Sequence, residues 1–246
     1  MIRLGIDIGG SAIKAALVDL ETGSLVSERM SVKNTIETEP LITVEGIKNI
    51  AKRLNYSGPM GIGFPGRLKD STVMNAPNLH PKWTGTHLKD FISVHSNQKV
   101  GILNDADAAA LAELEFGNNQ IKNTHRVVFL TLGTGIGSAF ILNGQIWKDT
   151  ELGHLLINGD SAELYAAASI KRIEKLSWKQ WATRLNVVLE RYDFLFSPDL
   201  FVLGGAISVN LPQFIKYLSF SPEKVIAATL GNDAGIIGAA LSSLDI

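Results

Sequence analysis

The stretch Val100-Gly101-Ile102-Leu103-Asn104-Asp105-Ala106-Asp107-Ala108-Ala109-Ala110-Leu111 decides the fold of this chain. A short apolar run ends abruptly in polar residues, and an alanine-rich helical pattern begins at once. This predicts a strand that feeds a helix, with Asn104 or Asp105 at the helix N-cap. Open α/β sheets bind ligands beyond the carboxyl ends of their strands. The stretch therefore predicts an α/β protein that holds the Asp105 carboxylate at a ligand-binding edge.

The composition is that of a globular protein and excludes several classes of function. The chain has 246 residues, 46% hydrophobic and 19% charged, so it could form one large domain or two small ones. A net charge of -1 disfavours a general binder of nucleic acid or membrane surfaces. The absence of cysteine excludes disulfides, thiolate zinc sites and cysteine nucleophiles. With no signal-peptide pattern and no membrane-spanning apolar run, we expect a cytoplasmic protein.

The order of apolar runs predicts two units of similar topology. In the first half, three apolar runs separated by tight turns predict antiparallel strands, at 2–8, 13–20 and 25–32. After the helix stop at Gly117 the same pattern returns, at 127–132, 136–142 and 145–147. We expect two lobes facing each other across a cleft. Residues 1–116 plus 234–246 would form a small N-terminal lobe, and residues 117–233 a large C-terminal lobe.

The first glycine-rich turn is a candidate for phosphate binding. Its glycines let the backbone approach an anion, its amide groups and one hydroxyl donate hydrogen bonds, and a carboxylate could hold Mg²⁺ through water. The residues concerned are Asp7, Gly9, Gly10, Ser11 and Lys14. A plain hairpin turn is the alternative.

The second glycine-rich turn contains Thr131, Gly133, Thr134 and Gly135. An apolar strand pattern follows it instead of a helix, which excludes a Rossmann dinucleotide site, and no P-loop is present. We expect this hairpin to bind phosphate through its backbone amides and the Thr134 hydroxyl. Farther along the chain, Gly204 and Gly205 provide either a flat backbone surface for the donor or tight strand–helix packing.

Several polar side chains are candidates for binding and catalysis. At a helix N-terminus the dipole favours an ionised Asp105, which could act as a general base toward a sugar hydroxyl, although aspartate is also an ordinary N-cap. Glu151 and His154 surround a glycine bend and suit polyol recognition. The helical region after 161 carries a basic series, which is a solvated face or, alternatively, a local polyanion site: Lys171, Arg172, Lys175, Lys179 and Arg184.

Taken together, the order of these motifs resembles the ROK sugar kinases (repressor, open reading frame, kinase). The resemblance spans nearly the whole chain and rests on residues 7–11, 61–66, Asn78, 104–106, 132–137, 151–154 and 204–205. Within that group the chain is similar to the polyphosphate glucokinases. This second resemblance rests on residues 78–79, 82–83, 103–112, 150–154, 176–178, 181–182 and 197–201.

The resemblance implies a duplicated, actin-like (ribonuclease H-like) fold and phosphorylation of the 6-hydroxyl of glucose. It implies Asp105 as the base, and as sugar-binding residues Asn78, Asn104, Glu151, His154 and Gly66. The phosphoryl donor would be polyphosphate, ATP or both, with Mg²⁺, and a homodimer is expected. For this reaction, both glycine-rich turns would have to face the same gap as the Asp105 carboxylate.

Two departures from the family pattern narrow these expectations. Many ROK proteins carry a zinc-binding His/Cys cluster after the equivalent of His154, and without cysteine no such zinc is expected here. We also expect no helix-turn-helix module of the kind that the ROK repressors carry, because a strand pattern begins at Ile2. Two alternatives stay open: a kinase for mannose, fructose or an N-acetylhexosamine, and a non-catalytic sugar sensor.

Overall fold

The computed structural model describes residues 1–245, which form two compact units. The first unit consists of residues 1–116 and the chain from Asp233 onward, and the second consists of residues 117–232. The first unit is the longer of the two, whereas the sequence analysis expects the N-terminal lobe to be the smaller.

The first unit is built on a six-stranded sheet with the order β3-β2-β1-β5-β8 and β4 also paired to β2. The strands are β1 (Ile2–Ile8), β2 (Ala12–Asp19), β3 (Ser24–Leu25), β4 (Met30–Lys33), β5 (Met60–Phe64) and β8 (Val100–Asn104). Strands β1 and β2 are antiparallel, while β1, β5 and β8 run parallel. A separate hairpin pairs β6 (Arg67–Lys69) with β7 (Thr72–Asn75).

The predicted third strand over residues 25–32 is wrong in one respect. It is divided into β3 and β4, both of which pair with β2. Between them the Ser27 hydroxyl accepts a hydrogen bond from the Leu17 amide at 3.0 Å. A side chain thus replaces the backbone acceptor that a continuous strand would offer.

Four helices of the first unit surround this sheet: α1 (Pro40–Arg53), α2 (Leu88–Ser96), α3 (Asp105–Phe116) and α9 (Ala234–Ser242). Helices α3 and α9 contact each other, and α9 also contacts β1 and β5. Both are small-residue helices with buried residues all around, which fits a position inside the unit. The apolar core lies under the other helices and includes Ile6, Ile47, Ile62, Phe64 and Trp83, all fully buried.

The second unit repeats the strand pattern of the first, in the order β11-β10-β9-β14-β15. Its main strands are β9 (Arg126–Leu132), β10 (Ile136–Leu142), β11 (Gln145–Trp147), β14 (Leu200–Gly204) and β15 (Val225–Ala227), and a small ladder joins β12 (Leu156–Ile157) to β13 (Asp160–Ser161). In both units an antiparallel three-strand meander is extended by two parallel strands. The structure therefore confirms the duplicated topology.

The helices of the second unit are α4 (Asn119–Lys122), α5 (Ala162–Ala166), α6 (Ala168–Ile173), α7 (Trp178–Phe196) and α8 (Leu211–Phe214). A capping box between Ser177 and Gln180 starts α7. Its apolar face recurs at helical spacing and is fully buried, at Trp181, Leu185, Val188, Leu189 and Tyr192. Trp181 also packs edge-on against Phe214 within this core.

Within residues 1–245, every helix is too short or too polar to cross a membrane.

Candidate functional site

The parallel strands of the first unit bring its candidate residues to one edge of the sheet. Asp7 on β1 is paired with Gly63 on β5, which is paired in turn with Leu103 on β8. Adjacent strands are about 4.8 Å apart, so the Cα atoms of Asp7 and Leu103 are about 10 Å apart. Asn104 and Asp105 follow Leu103 directly, and all of these residues lie at the carboxyl ends of their strands.

The first glycine-rich turn is held by a buried side chain that the sequence analysis missed. The Asn34 side-chain amide donates to the Gly9 carbonyl at 2.8 Å, and the Asn34 backbone amide donates to the Ser11 carbonyl at 3.1 Å. Asn34 is fully buried. The turn is therefore held in place by Asn34. It is closed by the Gly9 amide, which donates to the Ala12 carbonyl at 2.9 Å.

Asn78 lies directly against this turn. A Cβ atom on Gly10 would lie 3.0 Å from the Asn78 carbonyl oxygen and 3.1 Å from its Cβ. Glycine is therefore required for the Asn78 loop to approach the turn so closely. The structure brings these two predicted residues together and leaves Asn78 exposed.

Asp7 is the carboxylate nearest to the first turn. Burial raises the pKa of Asp7, and the charge of Lys14, its antiparallel partner on β2, lowers the pKa by a smaller amount. The carboxyl group lies against Gly235 in the first turn of α9, where a Cβ would be 3.3 Å from the Asp7 Cγ. Among residues 1–245 there is no group of three or more His, Asp or Glu side chains suited to a metal. One carboxylate fits Mg²⁺ only in the common arrangement in which the donor's phosphates and water supply the other ligands.

Asp105 is the first residue of α3, and Asn104 is its cap. The Asn104 Oδ1 accepts hydrogen bonds from the Ala106 amide at 2.8 Å and the Asp107 amide at 3.4 Å. Its Nδ2 donates to the Gly66 carbonyl at 2.9 Å. Asn104 is 5% exposed, and both ends of its amide are engaged within the unit, so the structure gives it a positioning role. Asp105 is half-buried at the helix N-terminus.

In the second unit the Thr131–Gly135 turn is fixed by helix α6. The Ser169 amide donates to the Gly133 carbonyl at 3.0 Å, and the Ser169 hydroxyl donates to the Thr134 carbonyl at 2.6 Å. Gly133 and Thr134 themselves are exposed. Their carbonyl oxygens are thus engaged by α6.

Gly204 and Gly205 lie beside the same turn. Gly204 ends β14 and is paired with Thr131 on β9. Gly205 has φ +82°, and a Cβ on it would overlap the Leu132 carbonyl. The two glycine motifs of the second unit therefore meet at one edge of its sheet, and tight packing accounts for Gly205 without a ligand.

Glu151 and His154 form a cluster with Glu163, a residue that no sequence motif singles out. His154 Nε2 lies 3.9 Å from Glu151 Oε2, and His154 Nδ1 lies 3.6 Å from Glu163 Oε1. The Glu163 carboxylate occupies the position that a Cβ on Gly135 would take. The three side chains are 25%, 53% and 29% exposed in the order Glu151, His154, Glu163, so the cluster is open to a ligand.

Hydrogen bonds from β10 and α7 position this cluster. The Ser138 hydroxyl accepts from the Leu152 amide at 2.9 Å and donates to the Thr150 carbonyl at 3.0 Å. The Tyr192 hydroxyl donates to the Leu152 carbonyl at 2.7 Å. Burial, assisted by the charge of Glu163, raises the pKa of Tyr192, which keeps this donor protonated.

The structure thus groups the predicted residues into two sets. The N-terminal set comprises Asp7, Gly9, Gly10, Ser11, Lys14, Gly66, Asn78, Asn104 and Asp105. The C-terminal set comprises Thr131, Gly133, Thr134, Gly135, Glu151, His154, Gly204 and Gly205. Each set lies in one unit and combines a glycine-rich turn with carboxylate, amide or imidazole groups.

The ROK family model matches residues 3–167, and a chain with this duplicated fold and these motifs belongs to the ROK family. It is 41% identical over 240 residues to the polyphosphate glucokinase of Mycobacterium leprae (strain TN). The alignment covers 97% of this chain and 74% of that relative.

Solved structures agree with this assignment. The inorganic polyphosphate/ATP-glucomannokinase from Arthrobacter sp. strain KM superposes with a TM-score of 0.91 at 36% identity, covering 99% of this chain and 98% of that one. A ROK family glucokinase from Streptomyces griseus, solved with glucose and AMPPNP, gives a TM-score of 0.82 at 24% identity over the full length of both chains. These neighbours confirm the actin-like α/β fold.

Proposed function

We propose that this protein is a phosphotransferase that moves a phosphoryl group from polyphosphate, ATP or both to the 6-hydroxyl of glucose. The observation that carries the proposal is the placement of Asp105. Its carboxylate begins a capped helix at the same sheet edge as the first glycine-rich turn. The identity to a polyphosphate glucokinase and the likeness to a polyphosphate/ATP-glucomannokinase support the choice of donor and acceptor.

In the proposed reaction, Asp105 accepts the proton of the sugar hydroxyl as the hydroxyl oxygen attacks the terminal phosphorus of the donor. The bond from that phosphorus to its bridging oxygen breaks, and the shortened polyphosphate or ADP leaves with the bonding electrons. The N-terminus of α3 favours the ionised form that a general base requires. Asn104 fixes the start of the helix and so sets the direction in which the Asp105 carboxylate points. Phosphoryl transfer needs little covalent chemistry from the protein, so positioning and charge stabilisation account for most of the catalysis.

The two glycine-rich turns are assigned to the phosphoryl groups. Backbone amides at Gly10, Ser11 and Thr134, with the Thr134 hydroxyl and the charge of Lys14, would stabilise negative charge that develops on phosphoryl oxygens. The Gly133 amide instead closes its own turn by donating to the Gly135 carbonyl at 3.0 Å. Asp7 would hold a donor-bound Mg²⁺ through water. Bound there, Mg²⁺ supplies charge neutralisation on the phosphates.

Recognition of sugar hydroxyls is assigned within each unit, to Asn78 and Asp105 in the first and to Glu151, His154 and Glu163 in the second. Carboxylates accept hydrogen bonds from hydroxyl groups, and an imidazole can accept one or donate one, so each group can fix hydroxyls in direction. Mannose is the second candidate acceptor, because the Arthrobacter neighbour is a glucomannokinase.

The Asp105→Asn variant tests the assignment of the base. We expect its turnover to fall by about 10²–10⁴-fold, because that is the usual contribution of general-base catalysis. The measurement is the initial rate of glucose 6-phosphate formation in a coupled assay, together with thermal unfolding to verify the fold.

Asp90→Asn is the matched control for this variant. Asp90 is also an acidic residue in the first turn of a helix in the first unit, and it pairs with His87 at 2.9 Å. Its loss should leave turnover within about twofold, as expected for an exposed pair. Near wild-type turnover in Asp105→Asn would contradict the role of Asp105, and glucose binding without transfer in the wild type would favour the sensor.

Initial rates with every combination of donor and acceptor identify the preferred pair. Polyphosphate and ATP are each offered at fixed Mg²⁺ with glucose, mannose, fructose and N-acetylglucosamine. We expect the highest kcat/KM with glucose and activity with polyphosphate. A higher kcat/KM with another hexose would replace glucose as the acceptor without changing the reaction class.

A further inference from the structure

Helix α6 and the start of α7 carry exposed cations that continue from the second glycine-rich turn. We define the basic strip as Lys171, Arg172, Lys175 and Lys179. The last three are exposed, and Lys171 is half-buried. We propose that the basic strip binds the distal phosphates of a long inorganic polyphosphate chain whose terminal phosphate lies at the Thr131–Gly135 turn; this inference rests on the proposed function.

The first argument is continuity with the turn. Ser169 holds the turn through its amide and its hydroxyl, so α6 starts at the turn itself. Arg172 lies three residues beyond Ser169, on the same helix face and about 4.5 Å farther along the axis. Lys175 lies just beyond the end of α6, in the turn that leads to α7, where its φ is +52°. An extended anion that starts at the Thr131–Gly135 turn therefore meets Arg172 on α6 and then Lys175 in the connection to α7.

The second argument is the charge balance of this segment. Glu174 is its one carboxylate between Ser169 and Arg184, and Arg184 neutralises it in a two-point ion pair with one contact of 3.0 Å. The carboxylate on the other side of the turn, Glu163, lies against Gly135 and faces His154. Four cations thus remain without a carboxylate partner in this segment, in a protein whose net charge is -1.

The third argument is that helix stability does not explain the whole strip. Lys171 donates to the Leu176 carbonyl at 3.0 Å and lies 4.0 Å above the Trp178 ring, which fixes the connection between α6 and α7. Arg172 lies in the last turn of α6, where the helix dipole favours a cation. Lys179 lies in the first turn of α7, where the dipole disfavours a cation, so binding of a polyanion explains Lys179 better than local structure does.

The test removes the three exposed charges and keeps Lys171. The variant is Arg172→Gln/Lys175→Gln/Lys179→Gln. Its control, Lys48→Gln/Lys52→Gln/Arg53→Gln on α1, removes the same residue types and the same charge from the first unit. Initial rates are measured with long-chain polyphosphate, tripolyphosphate and ATP, and binding of fluorescently labelled long-chain polyphosphate is measured by anisotropy.

We expect the strip variant to raise KM for long-chain polyphosphate by about tenfold, from three charge contacts of modest individual strength. KM for tripolyphosphate and ATP should change less than about twofold, and the control variant should resemble the wild type. An equal change for all donors, an unchanged KM for the long chain, or equally tight binding of a single-stranded RNA of similar charge would overturn the inference.

Anisotropy separates this inference from the proposed function. If the wild type forms no glucose 6-phosphate from any donor, the proposed function fails. Loss of polyphosphate binding in the strip variant alone would still support the strip. If the wild type does not bind polyphosphate, the strip is rejected even when ATP-dependent glucose phosphorylation is present.

Discussion

At the residue scale, Asp7 combines a functional position with a cost in stability. Its pKa is raised mainly by burial, so the ionised form is less favourable in the folded protein than in the unfolded chain. A raised carboxyl pKa contributes stability at low pH and loses it as pH rises through the folded value. At neutral pH this half-buried carboxylate therefore destabilises the first unit.

The Asp7→Asn variant should be more stable and less active at neutral pH. We expect Tm to rise by roughly a few degrees at pH 7, because the desolvated charge is gone, and turnover to fall about tenfold or more. The gain in Tm should shrink as pH falls toward 3.8, the ordinary pKa of the group. Thermal unfolding at a series of pH values and the coupled assay measure both effects.

Asp19→Asn is the control for this variant. The Glu21 amide and the N-terminal ammonium group lower the pKa of Asp19, so its carboxylate is stabilised in the folded state. Its replacement should leave Tm unchanged or slightly reduced, with normal turnover. A lower Tm for Asp7→Asn at pH 7 would show that the Asp7 carboxylate stabilises the unit.

Sequence patterns identify some of the candidate site residues but not all of them. Asp105 was accessible because an N-cap, a strand end and a helix start are adjacent in the chain. Asn34 lies 25 residues from the Gly9 carbonyl that it holds, and Glu163 is an ordinary first-turn acid of α5. Their roles depend on tertiary contacts, and no local pattern records such contacts.

At the element scale, the N-terminus of α3 depends on a single side chain. Asn104 caps the helix and also joins it to the Gly66 carbonyl, which belongs to the loop after β5. The residue thus fixes the helix that carries Asp105 to the neighbouring strand. Asn104 uses its Oδ1 and one Nδ2 hydrogen bond at this junction, and its role as a sugar ligand stays a prediction.

The Asn104→Ala variant should lose about 1–2 kcal/mol of stability, because the cap is buried and a second hydrogen bond is lost with it. Turnover should also fall, since the Asp105 carboxylate is no longer held in one orientation. Urea denaturation and the coupled assay provide the two measurements. Stability and turnover both within error of the wild type would refute the positioning role.

Asn118→Ala supplies the comparison at another helix. Asn118 also caps a helix, with its Oδ1 accepting from the Gln120 amide at 2.9 Å, but α4 has only four residues. Its loss should cost about 0.5 kcal/mol and leave turnover unchanged. The contrast isolates the link to Gly66 from the general value of an asparagine cap.

Elements were predicted best where periodicity was long and uninterrupted. Strand β8 and the start of α3 are confirmed because a clear stop separates the apolar run from the helical pattern that follows it. The division of the third strand into β3 and β4 escaped detection, since it depends on the hydrogen bond between the Ser27 hydroxyl and the Leu17 amide. A serine within an apolar run gives no sign of such a bond.

At the scale of the whole molecule, helix α9 completes the first unit from the far end of the chain. Glycines on the sheet and on the helix allow this close approach: a Cβ on Gly61 would overlap the Ala239 carbonyl, and one on Gly238 would overlap the Ala108 carbonyl of α3. The contact is between backbones, so an added methyl group must displace a helix.

Gly238→Ala should therefore destabilise the protein by about 1–3 kcal/mol, which is the usual cost of overpacking a core. The matched change is Gly46→Ala in α1, where a Cβ would meet Ile13 and Val32 at ordinary distances of 3.4 and 3.5 Å. That variant should gain about 0.4–1 kcal/mol, because alanine favours a helix interior. Urea denaturation of both measures the difference, and equal signs would contradict the described packing of α9.

The position of α9 also determines when the first unit can be completed as the ribosome makes the chain. Translation delivers the strands of this unit first, then all of residues 117–232, and only then the helix that covers β1 and β5. The newly made first half must keep an uncovered apolar sheet face throughout that interval, which at about 5–20 residues per second lasts several seconds or more. The second unit is contiguous in sequence, so all of its strands and helices have been made before α9 is. Its sheet is therefore started later than the sheet of the first unit but can be completed earlier.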